Sequence, residues 1–172
     1  MILLLGAPAA ADPETWRPFS PPGGGFRIEL PGEPVRESED RFTPGGSVRE
    51  TKWWLAVPGA ELSVETHDLP ALATWMMSAD ALLDRARDGV IADDGGEALA
   101  SSDVLVQGAP ARSFTWRYPG ELVRLERGLT VLVGSRLYLL TGTGPDPASH
   151  PAVARFFDSF RLEAARDEAS PE

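Results

Sequence analysis

The sequence has no cysteine, and lysine occurs only once among its 172 residues, at Lys52. Without thiols, disulfides, thiolate metal sites and cysteine nucleophiles are all excluded. The remaining basic residues are arginine, and acidic residues outnumber basic ones by 26 to 16. The resulting net charge of −10 opposes binding to a nucleic-acid backbone or to an anionic membrane surface. We therefore expect no nucleic-acid partner.

Long apolar runs are also missing, since no stretch approaches the ~20 apolar residues of a membrane-spanning helix. Residues 1–11 combine a short apolar run with small residues, and Ala9 and Ala11 fit the A-x-A pattern of a signal-peptide cleavage site. This pattern predicts export to the periplasm or out of the cell. A basic segment ahead of the apolar run is lacking, so a cytoplasmic protein with a frayed N-terminus is the alternative.

The composition is typical of a globular protein, with 42% hydrophobic and 24% charged residues. The length predicts one domain with a proper core. Its predicted parts are a signal segment at 1–11, a Pro- and Gly-rich leader at 12–24, a single domain at 25–162, and a disordered acidic tail at 163–172.

The domain is organised around a hairpin predicted between Glu121 and Thr143. Two apolar runs meet there at Gly134-Ser135, which suits a two-residue turn. Both faces of the hairpin are apolar near the turn, so we expect it to lie inside a sheet that is covered on both sides. The predicted cross-strand pairs are Val133 with Arg136, Leu132 with Leu137, Val131 with Tyr138, and Leu129 with Leu140.

A second hairpin is predicted at Pro58-Gly59, where the two residues break an extended run. Pairing across this turn joins apolar residues on one face and opposite charges elsewhere, which supports the register. The register leaves Trp54 on the more polar face, opposite Ser63. The predicted pairs are Val57 with Ala60, Leu55 with Leu62, Trp53 with Val64, Lys52 with Glu65, and Arg49 with Asp68.

A third turn is predicted at Pro119-Gly120. Pairing across it places Trp116 opposite Val123 and Phe114 opposite Leu125. Both aromatic residues would then share an inward face with Leu129, Val131 and Val133.

Two helices are predicted between the strands. The first covers residues 79–88, capped by Ser78 and stopped by Gly89, after a connector at 69–77. The second covers residues 148–158 and buries Val153, Phe156 and Phe157. The order of elements predicts the α+β class, a largely antiparallel meandering sheet flanked by two helices.

Four segments resemble landmarks of bacterial PsbP-like proteins: GFRIELPGEP at 25–34, GAPAR at 108–112, GSRLY at 134–138 and RFFDSFRL at 155–162. That superfamily also includes the extrinsic P subunit of photosystem II and a Ran-binding nuclear protein. The resemblance implies an α-β-α sandwich and an exported protein that acts by binding. The landmarks are turns and core residues, so they carry over no partner-contact residue.

The residue patterns predict no catalytic, cofactor or metal site. His67 alternates onto a polar strand face, so we interpret it as a solvated residue, and His150 lies in the first turn of the second predicted helix, where we interpret it as a capping or surface residue. No nucleophile elbow, zinc-binding or phosphate-loop motif is present. The acidic residues Asp88, Asp93, Asp94 and Glu97 lack the spacing of a calcium loop. Carboxylates that are separated in sequence but meet in a cleft would escape this search, so an enzyme of that kind is an alternative.

Aromatic and methionine side chains give the candidate contacts for a partner or ligand: Trp54, Trp75, Met76, Met77, Trp116 and Tyr118. Burial beneath helices is the competing interpretation of these residues. The predicted function is that of an exported, non-enzymatic binding or protein-interaction module. A carrier of a small apolar ligand is the alternative, and it requires a cavity between sheet and helix. The oligomeric state is left open.

Overall fold

The computed structural model describes residues 15–43, 46–93, 95–118 and 124–163. The predicted signal segment and almost all of the acidic tail lie outside these ranges. The elements are β1 Arg17–Phe19, β2 Phe26–Leu30, β3 Val35–Thr43, β4 Gly46–Val57, β5 Ala60–Asp68, α1 Ala71–Met76, α2 Ala79–Asp93, β6 Glu97–Val106, β7 Ala109–Tyr118, β8 Arg124–Val133, β9 Arg136–Gly144, α3 Pro151–Ser159 and β10 Arg161–Leu162.

Seven of the strands form one antiparallel sheet in the order β3-β4-β5-β9-β8-β7-β6. The predicted central hairpin is β8–β9, and it lies in the interior of this sheet as expected. A second sheet of three strands has the order β1-β2-β10. Its closing strand, β10, pairs with β2 through Arg161 with Arg27 and Leu162 with Phe26.

The registers of two predicted hairpins are confirmed pair for pair, including Lys52 with Glu65 and Val131 with Tyr138. In both turns a glycine has positive φ, +77° at Gly59 and +59° at Gly134. This left-handed conformation suits tight hairpins, which explains why the turn residues were informative.

The predicted register of the third hairpin is wrong. Trp116 pairs with Glu126 and Phe114 with Gly128, three residues beyond the predicted partners. Tyr118 pairs with Arg124, whereas a two-residue turn at Pro119-Gly120 would pair Tyr118 with Glu121. Because side chains alternate between faces, an odd shift moves both aromatic residues to the opposite face of the sheet.

The seven-stranded sheet is covered on both faces. On the first face, the three-stranded sheet and α3 bury an apolar cluster that includes Phe26, Ile28, Trp53, Leu140 and Phe156. On the second face, α2 packs over β6, β7 and β8, where two smaller clusters form: Leu82, Leu83, Leu132 and Leu137, and Ile91, Phe114, Trp116 and Leu139. The predicted α+β class is thus confirmed.

The helices differ from prediction at their ends. α2 continues past Gly89 to Asp93, because burial of Ile91 against the sheet outweighs the cost of about 1 kcal/mol for a glycine inside a helix. α3 begins at Pro151, where the missing N–H and fixed φ of proline suit the first helical position. The predicted connector contains α1, a six-residue helix with no buried residue.

Candidate functional site: a cavity beside the short helix

A cavity of about 650 Å³ lies between the two helices α1 and α2 and the β3–β5 side of the sheet. It forms because α2 packs over β6, β7 and β8 and onto Leu137 and Leu139 of β9, which leaves the β3–β5 side of this face to the short α1. Apolar side chains make up most of its wall: Leu69, Leu72, Met76, Met77, Leu82, Val90, Leu137 and Leu139. The volume and lining are typical of a small-molecule site.

Polar groups enter this cavity from both sides. Arg41 of β3, Glu50 of β4 and His67 of β5 come from the sheet, and Arg85 and Asp93 come from α2. An apolar wall with a few convergent polar groups is suited to holding a molecule in one orientation.

The sheet side of the cavity carries a cluster formed by Glu50, Glu65 and His67. The Nδ1 atom of His67 lies 3.6 Å from Oε2 of Glu50, and its Nε2 atom lies 3.3 Å from Oε2 of Glu65. Nε2 is shielded from solvent and has no hydrogen-bond partner. One imidazole is therefore held between two carboxylates, on two neighbouring strands.

Glu65 is the most buried member of the cluster, with its side chain 11% exposed. Burial alone would raise its pKa, but the contact with His67 and the positive charge of Lys52 outweigh burial and lower the pKa below its usual range. Lys52 Nζ lies 3.3 Å from Oε1 of Glu65. Burial opposes the charge of Lys52 as well, yet the attraction of Glu65 leaves the lysine pKa raised. Glu65 and Lys52 therefore hold each other in the charged form.

This lowered pKa predicts how Glu65 affects stability with pH. A carboxyl whose pKa is depressed by folding contributes stability above its unfolded pKa and loses it as the pH falls through the folded value. We expect Glu65→Gln to be less stable than the wild type near neutral pH, and the difference to shrink on acidification. Thermal melts across the acid range measure this convergence. Glu61→Gln, at a half-buried position on the same strand face, is the control, and a constant Glu65→Gln deficit at every pH would contradict the prediction.

The six contact residues proposed from the sequence form three groups in the structure: Trp75, Met76 and Met77 on or beside α1, Trp54 on β4, and the pair Trp116 and Tyr118 on β7. Met76 and Met77 line the cavity, and Met76 and Trp75 are exposed by 68% and 83%. Trp54 is half-buried, and its Nε1 donates a hydrogen bond of 3.2 Å to Oε1 of Glu37.

Trp116 corrects the sequence prediction, whereas Tyr118 is half-buried and remains a predicted contact. Trp116 is fully buried, stacked on Phe114 with ring centroids 5.2 Å apart, so a partner has no access to it. The hydroxyl of Tyr118 donates a 2.8 Å hydrogen bond to Glu126 on the neighbouring strand. Trp116 therefore belongs to the core, as a consequence of the shifted β7–β8 register.

Sequence reasoning missed the cluster of Glu50, Glu65 and His67, although the register contained the signal. The confirmed pairing of Arg49 with Asp68 also places Glu50 opposite His67, and Glu65 shares a face with His67 two residues away. We interpreted alternation onto a polar face as exposure to water. In the structure Arg41, Lys52 and the cavity wall surround this part of the face, so its members are half-buried or buried.

Of the acidic residues near the end of α2, the three that the structure describes, Asp88, Asp93 and Glu97, do not form a cluster. Asp88 forms an ion pair of 2.8 Å with Arg87, and Glu97 pairs with Arg117 at 2.6 Å. Asp93 lines the cavity, and Asp94 lies outside the described residues. Among the described residues, no helix combines the length and apolar character needed to cross a membrane.

Taken together, the two layers around an antiparallel sheet define an α+β sandwich. No family model and no curated protein matches the chain. Solved structures do match, and cyanobacterial PsbP (CyanoP) from Synechocystis sp. PCC 6803 is similar with a TM-score of 0.59 at 15% identity, over 92% of this chain and 98% of that one. The protein thus has the PsbP-like fold that the four landmark segments predicted.

Two further structures are similar at lower identity. A Bacteroides thetaiotaomicron VPI-5482 protein has a TM-score of 0.50 at 12% identity, over 88% of this chain and 50% of that one. PA94, a protein of unknown function from Pseudomonas aeruginosa, has a TM-score of 0.45 at 14% identity, over 84% of this chain and 94% of that one. At such identities the likeness concerns the fold alone, so function has to be argued from the side chains.

Proposed function

We propose that the protein is a binding module that holds a small, largely apolar molecule with one polar group in the cavity beside α1. The observation that carries this proposal is the cavity of about 650 Å³, which has apolar walls and the polar groups of Arg41, Glu50 and His67. Ligand sites of this kind usually measure about 300–1,000 Å³. The apolar part of the molecule would contact the leucines and methionines, and its polar group would face the sheet.

The chemistry of the cluster favours binding over catalysis. A carboxyl that acts as a general acid near neutral pH needs a raised pKa, which burial commonly supplies. The pKa of Glu65 is shifted in the opposite direction, because His67 and Lys52 outweigh its burial. A Glu65 carboxylate with a lowered pKa suits an electrostatic role in holding neighbouring groups in place.

Filling the cavity tests this proposal. Fluorescence titration with 1-anilinonaphthalene-8-sulfonate, an apolar ring system carrying one anionic group, provides the probe. We expect the wild type to enhance the fluorescence of this probe saturably, and Ala86→Trp to abolish most of the enhancement, because Ala86 lines the cavity. Ala92→Trp is the matched control, since Ala92 is an exposed residue of the same helix.

A second variant that fills the cavity keeps the test valid if Ala86→Trp fails to fold. Ala73→Trp fills the same cavity from α1, and a thermal melt of each variant checks that the fold is retained. If folded Ala86→Trp and Ala73→Trp both bind the probe as well as Ala92→Trp does, the cavity is not the binding site and the proposal fails.

A protein partner is the second candidate, because α1 exposes Trp75 and Met76 to solvent. Benzoylphenylalanine in place of Trp75 should then crosslink to one discrete host protein. The same replacement at Leu105, which is 74% exposed on the edge strand β6, should not.

We also propose that the module is located outside the cytoplasm. Support comes from residues 1–11, whose apolar and small residues match the end of a signal peptide. N-terminal sequencing of the mature protein from its host tests this. A first residue just after Ala11 agrees with export, and an intact Met1 contradicts it.

A further inference from the structure

We propose that Glu50, Glu65 and His67 form a binding site for a divalent transition-metal ion of the zinc class. The site shares Glu50 and His67 with the wall of the cavity described above, but it binds a metal ion and does not depend on that cavity holding an apolar molecule. In the part of the chain that the structure describes, one ligand atom from each of the three residues lies within 4.8 Å of the other two. Tetrahedral zinc bonds of about 2.0–2.2 Å place ligand atoms about 3.3–3.6 Å apart, so rotations of the glutamates that bring these atoms about 1 Å closer together close the site.

The backbone holds these ligands in a fixed arrangement. Glu50 and His67 are a directly opposed pair of β4 and β5, and Glu65 lies two residues before His67 on the same face of the sheet. Ligands on paired strands are positioned more precisely than ligands on loops. The site therefore needs side-chain rotation but no rearrangement of the backbone.

The imidazole provides the second observation. A neutral histidine has one N–H donor and one nitrogen lone pair. His67 has a carboxylate oxygen beside each ring nitrogen, at 3.6 Å and 3.3 Å, so in the neutral form one lone pair faces a negative oxygen. Nε2 is moreover buried without a hydrogen-bond partner. A cation bound by one ring nitrogen and by both carboxylates uses such a lone pair and neutralises the negative charge around it.

Neighbouring groups orient the two carboxylates. Lys52 and Ser63 contact Oε1 of Glu65, at 3.3 Å and 3.4 Å, which leaves Oε2 directed at the imidazole. Nε of Arg41 lies 3.6 Å from Oε2 of Glu50, and this arginine side chain is 59% exposed. Arg41 competes with a metal ion for Glu50, but its exposure lets it turn into solvent when an ion binds.

The ligand set selects among metals. One imidazole and two carboxylates suit zinc and its neighbours in the first transition row, whereas calcium and magnesium prefer oxygen ligands alone. Three protein ligands leave one position of a tetrahedral zinc ion open. Glu50 and His67 also line the cavity, so the site borders it.

Calorimetric titration of the whole chain with zinc chloride, after removal of metal by a chelator, tests the site. The chain suits this experiment because it has no cysteine and only two histidines. We expect one zinc ion per chain, and His67→Gln to weaken binding by about 100-fold or more. His150→Gln is the matched control, since His150 contacts the carbonyl of Pro58 in the hairpin turn and takes no part in the cluster. Equal effects of the two replacements would overturn the proposal.

Further measurements keep the test decisive if His67→Gln fails to fold. Glu50→Gln should also weaken zinc binding, and Arg41→Gln should strengthen it, because the competing guanidinium is lost. Cobalt(II) bound at the site should give the intense visible absorption of a four-coordinate ion, which His150→Gln retains. Calcium chloride that competes equally with zinc, or an Arg41→Gln variant that binds zinc more weakly, would contradict this ligand set.

Discussion

Replacing Trp116 by alanine should lower the free energy of unfolding by about 3–5 kcal/mol, as is typical when a large buried aromatic side chain is truncated. The side chain is fully buried and packs against Ile91, Phe114 and Leu139. Gly96 has no side chain at the point of closest approach, where a Cβ would lie 2.6 Å from the indole ring. The indole therefore fills a site that smaller residues cannot fill, and its loss leaves a cavity beneath α2.

Trp75→Ala is the matched control for this experiment. Trp75 is 83% exposed on α1, so the same chemical change should leave stability within about 0.5 kcal/mol of the wild type. Urea denaturation followed by circular dichroism measures both variants. Similar losses from the two replacements would show that the β7–β8 register and the burial of Trp116 are wrong.

Phe26→Ala should destabilise the protein to a similar degree, about 3–5 kcal/mol, for a different reason. Phe26 is fully buried where the three-stranded sheet meets the seven-stranded sheet. Its ring lies 5.5 Å from that of Trp53, 6.1 Å from that of Tyr138 and 5.9 Å from that of Phe160. Truncation removes the contacts that fasten the smaller sheet to the larger one.

Phe42→Ala provides the comparison, because Phe42 is 88% exposed on the edge strand β3. We expect its unfolding free energy to remain within about 0.5 kcal/mol of the wild-type value. In NMR spectra recorded while denaturant is added to Phe26→Ala, the amide signals of β1 and β10 should lose their chemical-shift dispersion before those of β8 and β9. A Phe26→Ala variant as stable as Phe42→Ala would rule out this packing of the two sheets.

The parts of the fold that could be predicted are those fixed by neighbouring residues. Two hairpins have short turns with glycine at a position of positive φ, so alternation together with the turn determined every pair. Pro119-Gly120 has the same composition, yet the observed register of β7 and β8 does not fit a two-residue turn there, and this error reversed the face assigned to Trp116. Turn composition alone does not reveal loop length.

The candidate site was harder to predict because it depends on which part of the sheet the helices leave uncovered. The cavity exists because α2 covers one half of a sheet face and the short α1 shields the other half incompletely. α1 has no buried residue, so the sequence contains no periodic apolar pattern that would predict this helix. The cluster of Glu50, Glu65 and His67 could be read from the register, but its burial depends on neighbours that alternation does not identify.

The pairing of β2 with β10 has a consequence for the time course of folding. The two strands come from opposite ends of the domain, and the amide of Glu163 donates a 3.0 Å hydrogen bond to the carbonyl of Gly25 beside them. β5 likewise pairs with β9 across both of the intervening helices and three strands. A large loop must close, at a cost in conformational entropy, before its strands can form stabilising contacts. Chains with such long-range strand pairs therefore fold slowly. During synthesis on the ribosome, β2 must wait for the last strand to emerge before the smaller sheet can close.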